Sequence, residues 1–340
     1  CNLRCGTCGQ WGERGYLHGE DPKRLAATEV PAARHAELLR GLASSGHRPI
    51  VYLWGGEPML YDGVLDLVDT ATALRMPVAI ATNGARVAAA ADRLARAPLF
   101  LLQVSIDGPD AALHDRLRPT AGGGGSFAAV ESALAAVRAA RLAAHRDLPL
   151  IASLTTISRE NAPRLADLYD AFADRVDLFV FYLAWWIDEP RAALHEREFA
   201  RRFGAEPRRH RGWIGGWKPD DASALHDQIG AVLARARRPG APPAVLIPNL
   251  RSAEDLHAYY TDHARDFGYR RCVSVHQAME VNSNGDVSPC RDYNDYVVGN
   301  VKDSTLAGLW NHERYRAFRR SLASDGLMPV CTRCCGLMGY

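Results

Sequence analysis

The sequence predicts an α/β fold: a parallel sheet of barrel type wound by helical crossovers, closed by a small α+β module. Short β-rich apolar runs alternate with helical patterns, and each run ends in glycine plus a polar residue. Cysteines gather near the two ends of the 340-residue chain, with none between Cys8 and Cys272. The first observation predicts the sheet, and the second marks off the terminal module.

The first run, Pro49–Trp54, ends in Gly55-Gly56-Glu57-Pro58. The second, Val78–Thr82, ends in Asn83-Gly84, and the third, Phe100–Val104, ends in Ser105-Ile106-Asp107-Gly108. Helical patterns fill roughly 60–75, 86–96 and 126–143. Later strands are Leu150–Leu154, followed by Thr155, and Asp177–Ala184. Strand–helix alternation at this spacing argues for parallel pairing through right-handed crossovers. In barrels of this kind the chemistry sits at the C-terminal ends of the strands, where the glycines and polar residues fall. Gly122–Gly125 reads as a flexible loop, because no Gly-Lys-Ser/Thr run follows it.

Composition removes several classes. At 47% hydrophobic and 24% charged residues the chain resembles an ordinary globular protein, too apolar for disorder. No apolar run reaches the roughly 18 residues of a membrane helix. The start CNLRCGTC is not a signal peptide. Cys1 in place of Met leads to the expectation of a fragment whose first strand lies upstream. A net charge of +2 offers nucleic acid no global attraction. The twelve histidines include no HExxH pair. The eight cysteines cluster in a large chain, whereas a disulfide scaffold spreads them through a small one.

The spacing Cys1-x3-Cys5-x2-Cys8 has a chemical reading of its own. Three thiolates on a short loop can hold three corners of a cubane [4Fe–4S] cluster, leaving the fourth iron open to a substrate atom. A closed structural site, such as zinc, wants four ligands, and a fourth could come from elsewhere in the chain.

This triplet, then Gly55-Gly56-Glu57-Pro58, then Ser105–Gly108, in this order and spacing, resembles the radical S-adenosylmethionine (SAM) superfamily along essentially the whole chain. The resemblance implies a partial (β/α)6 TIM-like barrel over 1–240, with the first strand missing from this fragment. It implies that Cys1, Cys5 and Cys8 ligate a [4Fe–4S] cluster whose open iron chelates SAM. One electron then cleaves the sulfonium to methionine and a 5′-deoxyadenosyl radical, which abstracts hydrogen from a substrate. Carried over by position, Gly55, Gly56 and Glu57 would meet the SAM amine by backbone and carboxylate, and Pro58 would complete this cofactor-binding run. Ser105 and Asp107 would line the ribose and methionine side, Asn83 would be a further cofactor-binding residue, Arg118 would take the SAM carboxylate, and Thr155 would lie toward adenosine. The electron would come from an external donor such as flavodoxin or ferredoxin, in a reducing, cytoplasmic setting. The family commonly places an aromatic residue before the third cysteine; here it is Thr7, and Trp11 could serve the adenine instead. Plainer readings stand beside these. Gly55–Pro58 also suits a strand-to-helix turn, Ser105–Gly108 a turn with an Asp helix cap, Arg118 a solvated surface side chain, and Thr155 an ordinary strand residue.

The second cysteine group forms its own unit. After Cys272, Val273–Val281 reads as a strand, Asn282–Gly285 as a hairpin turn, and Asp286–Cys290 as the returning strand. Ser304 or Thr305 caps a helix to about Leu322, with Leu306, Leu309 and Trp310 on its apolar face. Cys331-x2-Cys334-Cys335 follows. The module resembles the auxiliary-cluster domains called SPASM and twitch, through Gly285-x4-Cys290. A SPASM domain needs about seven cysteines and would have one where this chain has Tyr340, whereas five remain here. The resemblance therefore favours a twitch-type module at 269–340, its auxiliary [4Fe–4S] cluster held by Cys272, Cys290, Cys331 and Cys334. Cys335 would be spare, as a buried thiol, an alternative ligand or a hydrogen donor. Zinc on four cysteines would staple the module equally well. A connector spans 241–268.

Between the strand at Asp177–Ala184 and the next helix, residues 184–220 form an insertion expected on the catalytic face. It carries Trp185, Trp186, Trp213 and Trp217 among many arginines. Stacking surfaces and guanidinium forks suit a small polar substrate or a peptide, or simply pack a solvated loop. The expected chemistry is redox-changing, such as dehydrogenation of a sugar or aminocyclitol alcohol. Maturation of a ribosomal peptide is the alternative, and a non-catalytic zinc or iron–sulfur protein is the rival of another class. Neither nucleic acid nor membrane is expected as a partner.

Overall fold

The computed structural model describes residues 1–97, 99–291 and 294–338, so Tyr340 lies outside it. The chain divides into two compact units, each assembled from separate segments. The first comprises Cys1–Gly6, Pro31–Leu183 and Pro219–Leu246. The second comprises Thr7–Val30, Ala184–Lys218 and Ile247–Tyr340.

The first unit is built on a six-stranded sheet: β1 Val51–Leu53, β2 Val78–Thr82, β3 Leu101–Ser105, β4 Leu150–Ile157, β5 Leu178–Leu183 and β6 Ala244–Ile247. The strands lie side by side in sequence order, and β1 to β5 pair in parallel. The first five coincide with the runs read from sequence. The sixth falls in the stretch read as a connector, because four apolar residues after Pro242-Pro243 carry too short a pattern to announce a strand. Sequential order with right-handed crossovers puts the helices on one side of the sheet. On that side Ile80, Leu102, Val104, Ile151 and Phe179 of β2 to β5 are all 0% exposed. The other, inner face keeps partial exposure at Gln103, Ser105, Leu154, Thr156 and Tyr182.

The crossover helices follow from their periodicity. In Val87–Arg96, buried Val87, Ala90, Ala91, Leu94 and Ala95 recur at helical spacing and form one stripe. It packs on the helix Phe127–Ala143, whose buried Val130, Ala133, Val137 and Ala140 are likewise small. Small residues on both faces let the two helices approach closely. No helix among the described residues is long and apolar enough to cross a membrane.

In the second unit, β7 Glu280–Val281, β8 Asp286–Ser288 and β9 Gly299–Asn300 form an antiparallel sheet. The expected turn at Asn282–Gly285 joins β7 to β8, closed by a bond from Asn282 N to Asp286 O of 2.8 Å. Two expectations need correction here. Most of Val273–Val281 is not strand, and Ser274–His276 is a 3-10 turn. Side chains of a later helix satisfy its carbonyls instead of a ladder: Arg319 Nε donates to Val275 O at 2.9 Å and Tyr315 Oη to Ala278 O at 2.8 Å. The single helix expected after Thr305 is two, Leu306–Trp310 and Glu313–Ser324. Asn311 Nδ2 bonds back to Ala307 O at 3.1 Å and His312 Nδ1 accepts from Arg314 N at 3.2 Å. Such local side-chain bonds end one helix and cap the next. The insertion holds a helix Glu189–Phe203, capped by Asp188, and a 3-10 turn Arg209–Trp213.

Candidate functional site

In the first unit the strand ends are tied into one polar network. Gly55 adopts φ +126°, a turn that favours glycine, and delivers Glu57 to the end of β1. The buried Glu57 carboxylate accepts from Met59 N at 3.0 Å, Thr82 Oγ1 at 2.7 Å and Asn83 N at 2.7 Å. Burial pushes its pKa up, and these three bonds oppose the shift. Glu57 thus joins the end of β1 to the end of β2. Asn83 extends the network, its Nδ2 donating to Asn2 Oδ1 at 2.9 Å. The loop carrying Cys1 and Cys5 is fastened further by a bridge between Leu3 and Thr120 and by Arg4 N to Pro119 O at 2.8 Å.

Asp107 is the second organising carboxylate. It is 4% exposed and accepts from Arg118 Nε at 2.5 Å and Thr156 N at 2.8 Å. Arg118 Nη1 lies 3.8 Å from Cys5 Sγ. The arginine assigned to the SAM carboxylate is therefore a link between Asp107 and a candidate iron ligand, placing a cation beside that sulfur. Gly108 cannot carry a side chain, since a Cβ there would lie 2.5 Å from His114 N. Two participants were missed by sequence reading. Asn161 Nδ2 donates to Asp107 O at 3.0 Å and Thr156 O at 2.9 Å, clamping the ends of β3 and β4. His114 accepts from Asp107 N at 3.3 Å. Neither sits in a motif; for Asn161 a polar residue shortly after the end of β4 was the only signal, and His114 lies within the helix Ala111–Leu117. Ser105 is half-buried on the inner face at the end of β3. Thr155 stands apart from this network, fully buried on the helix side with its hydroxyl donated to Ile106 O at 2.7 Å.

The His114 environment predicts a pH dependence. Desolvation, reinforced by the Arg118 charge, lowers its pKa from 6.5 to about 4. The unfolded chain then takes up a proton that the folded chain refuses. Stability should be full above pH ~6.5 and fall as pH drops toward 4, by about 3 kcal/mol from this group. His114→Asn, whose Oδ1 can accept the same Asp107 N–H, should flatten the loss between pH 7 and 5 in urea denaturation. An unchanged slope would remove His114 as its source.

In the second unit, Cys8 begins a tight loop. Trp11 N donates to Cys8 Sγ at 3.3 Å and Gly12 N to Cys8 O at 3.0 Å. Trp11, considered for adenine, is buried at 5% exposure. Gly9 faces the Trp213 ring, where a Cβ would come within 2.3 Å. Trp213 in turn meets Trp185 edge-on at 4.6 Å between centroids. The insertion therefore braces the cysteine loop. Several of its arginines are committed internally: Arg202 to Glu198 at 2.6 Å and Gly326 O at 2.7 Å, Arg211 to Glu196 at 2.6 Å.

Near the C-terminus, Cys272, Cys290, Cys331 and Cys334 line one pocket whose other walls are apolar, among them Phe318 and Val330. Four thiols in apolar surroundings are the donor set of a cubane. No disulfide is present among the described residues, and none of their Cys, His, Asp or Glu groups converges at single-ion distance. Cys335 does not line the pocket, and Arg291 Nη1 lies 3.7 Å from its sulfur. Arg333, between two of the lining cysteines, is 1% exposed. Burial lowers its pKa to about 10, which leaves it a cation at neutral pH.

Comparison with known proteins agrees with this geometry. Residues 1–170 match the family model of the radical SAM superfamily, and residues 272–335 match SPASM, an iron–sulfur cluster-binding domain. The AdoMet-dependent heme synthase of Oleidesulfovibrio alaskensis is 25% identical over 335 residues, 97% of this chain and 77% of its own. The pre-heme d1 synthase of Dinoroseobacter shibae is 27% identical over 326 residues, covering 91% and 70%. The mycofactocin maturase MftC of Mycobacterium ulcerans is 36% identical over 183 residues, 47% of each chain. Streptococcus suis SuiB, solved with its precursor peptide SuiA, shares the fold with a TM-score of 0.60 at 16% identity, covering 98% of this chain and 68% of SuiB. The chain therefore belongs to the radical SAM superfamily, an enzyme family whose cofactors are a [4Fe–4S] cluster and SAM, and carries an auxiliary iron–sulfur domain at its C-terminus.

Proposed function

We propose that this chain removes hydrogen from a neutral, hydroxyl-bearing substrate with net oxidation of that substrate, as in dehydrogenation of a sugar or cyclitol alcohol. Cys1, Cys5 and Cys8 would hold the cluster, which together with SAM would supply a 5′-deoxyadenosyl radical as the hydrogen acceptor, with methionine as the other cleavage product. Hydrogen transfer from an alcohol C–H gives 5′-deoxyadenosine. Loss of one further proton and one electron from the substrate would leave a carbonyl, and Cys272, Cys290, Cys331 and Cys334 would hold an auxiliary cluster able to take up that electron. An external flavodoxin- or ferredoxin-type donor would start each cycle, in the cytoplasm.

The observation that carries this reading is the inner face of β1–β5. Register places Tyr52, Ala79, Ala81, Gln103, Ser105, Ala152, Leu154, Thr156, Val180 and Tyr182 on that side, none of them charged. Tyr52 Oη donates to Gln103 Oε1 at 2.6 Å, across the small Ala79 and Ala81 of the strand between. Hydroxyls and an amide suit an alcohol. The carboxylates of a tetrapyrrole, the chemistry named by the heme synthase relatives, call for cations, and these strands supply none. Peptide maturation is the second reading. It is favoured by the maturase relative and by SuiB, and a peptide's amides and hydroxyls could meet the same face.

The test is deuterium transfer into 5′-deoxyadenosine, read by mass spectrometry after anaerobic reconstitution with SAM and dithionite. Perdeuterated myo-inositol should label the product. Gln103→Leu should raise KM for the polyol about tenfold, the worth of one or two neutral hydrogen bonds. Labelling only from a deuterated tetracarboxylate porphyrinogen would overturn the neutral-substrate reading.

A further inference from the structure

Arg333 separates Cys331 from Cys334 in the chain and is almost completely buried. Its guanidinium donates to the backbone carbonyls of Tyr259 at 2.7 Å, Asp262 at 2.5 Å, Arg265 at 3.1 Å and Ala258 at 3.4 Å, and also to Thr332 O. It lies over the rings of Tyr259 and Phe267, at 4.8 and 5.4 Å from their centroids. Every one of these partners is neutral. Asp188 and Asp262 act on it only at a distance, and Arg191 opposes them. Among the described residues no carboxylate forms an ion pair with it.

A buried cation without a counter-charge is strongly unfavourable, and carbonyl dipoles answer it only in part. Arg333 directly precedes Cys334 and lies two residues after Cys331, both of which line the cysteine pocket. Thiolates in this pocket, and a cluster on them, would bring the missing negative charge. We infer that Arg333 is the counter-charge of the auxiliary cluster and sets its potential above the value that thiolate ligation alone would give. Reduction adds a negative charge to an already anionic centre, so a fixed cation favours the reduced form. The fork geometry holds that cation in place through every donor bond it makes. A raised potential suits a centre that accepts the substrate electron. The inference rests on the reading above that this module holds a redox cluster.

The experiment is an anaerobic redox titration of the reconstituted full chain, following each cluster by electron paramagnetic resonance, with iron, zinc and 5′-deoxyadenosine measured in the same samples. Arg333→Gln should lower the reduced-to-oxidised ratio of the auxiliary cluster about tenfold at fixed poise, about 59 mV for one electron. The N-terminal cluster should be unmoved. Arg333→Lys keeps the charge and should stay near the wild-type potential. A fully loaded Arg333→Gln protein at unchanged potential would overturn the inference, as would a Lys variant shifted as far as Gln. If Arg333→Gln loads no auxiliary iron, the Lys variant decides alone, by the same criterion. Zinc in the wild-type module, with 5′-deoxyadenosine still formed, would instead overturn the underlying reading.

Discussion

Cys5→Ala is expected to abolish 5′-deoxyadenosine formation while leaving the C-terminal centre loaded, so that iron falls from about eight to about four per chain. Three thiolates hold three corners of the proposed cluster, and removing one leaves two, with a second iron exposed. Cys5 is also the sulfur that faces Arg118, so its loss removes that contact between the cluster loop and the Asp107–Arg118 pair. The measurements are iron and sulfide per chain after anaerobic reconstitution, with the nucleoside product followed by chromatography. A variant that still makes 5′-deoxyadenosine would remove Cys5 from the ligand set. The complementary Cys334→Ala change should leave reductive SAM cleavage intact and remove only the auxiliary iron.

The second large effect is expected at the Asp107–Arg118 pair. Both side chains are substantially buried, at 5% and 13% exposure, and Asp107 also receives Thr156 N at 2.8 Å. Removing one partner of such a pair leaves an uncompensated charge and destabilises by about 3–5 kcal/mol. Arg118→Met should show this loss in urea denaturation, and Asp107→Asn should show one of similar size. The double variant, which leaves neither charge stranded, should be less destabilised than the sum of the two. Additive effects would mean that the two side chains act independently. A second readout separates folding from cofactor binding: Arg118→Met should also weaken iron retention, because its guanidinium reaches Cys5.

The alternation of β-rich runs with helical patterns was legible because parallel strands largely covered on both faces write near-continuous apolar runs that glycine and polar residues terminate. The three motifs at the strand ends were legible for the same reason, since each interrupts its run abruptly. The cysteine spacing carried chemistry directly, because few sites need three thiols within eight residues. Long-range pairing was not legible. Glu57 bonding Thr82 and Asn83, Asp107 bonding Arg118 and Asn161, and Arg333 reaching the carbonyls of Tyr259 and Asp262 all join residues far apart in the chain. No local pattern encodes such partners. The directions of the adjacent Cys334 and Cys335 thiols were likewise not legible: one lines the pocket and the other meets Arg291. Local composition and periodicity indicated the first five strands of the large sheet, the crossover helices between them and the chemistry the thiols can support, but not β6 or the break between the helices Leu306–Trp310 and Glu313–Ser324. Packing alone settled which polar groups meet, because a hydrogen bond depends on a few ångströms of separation that sequence distance does not record.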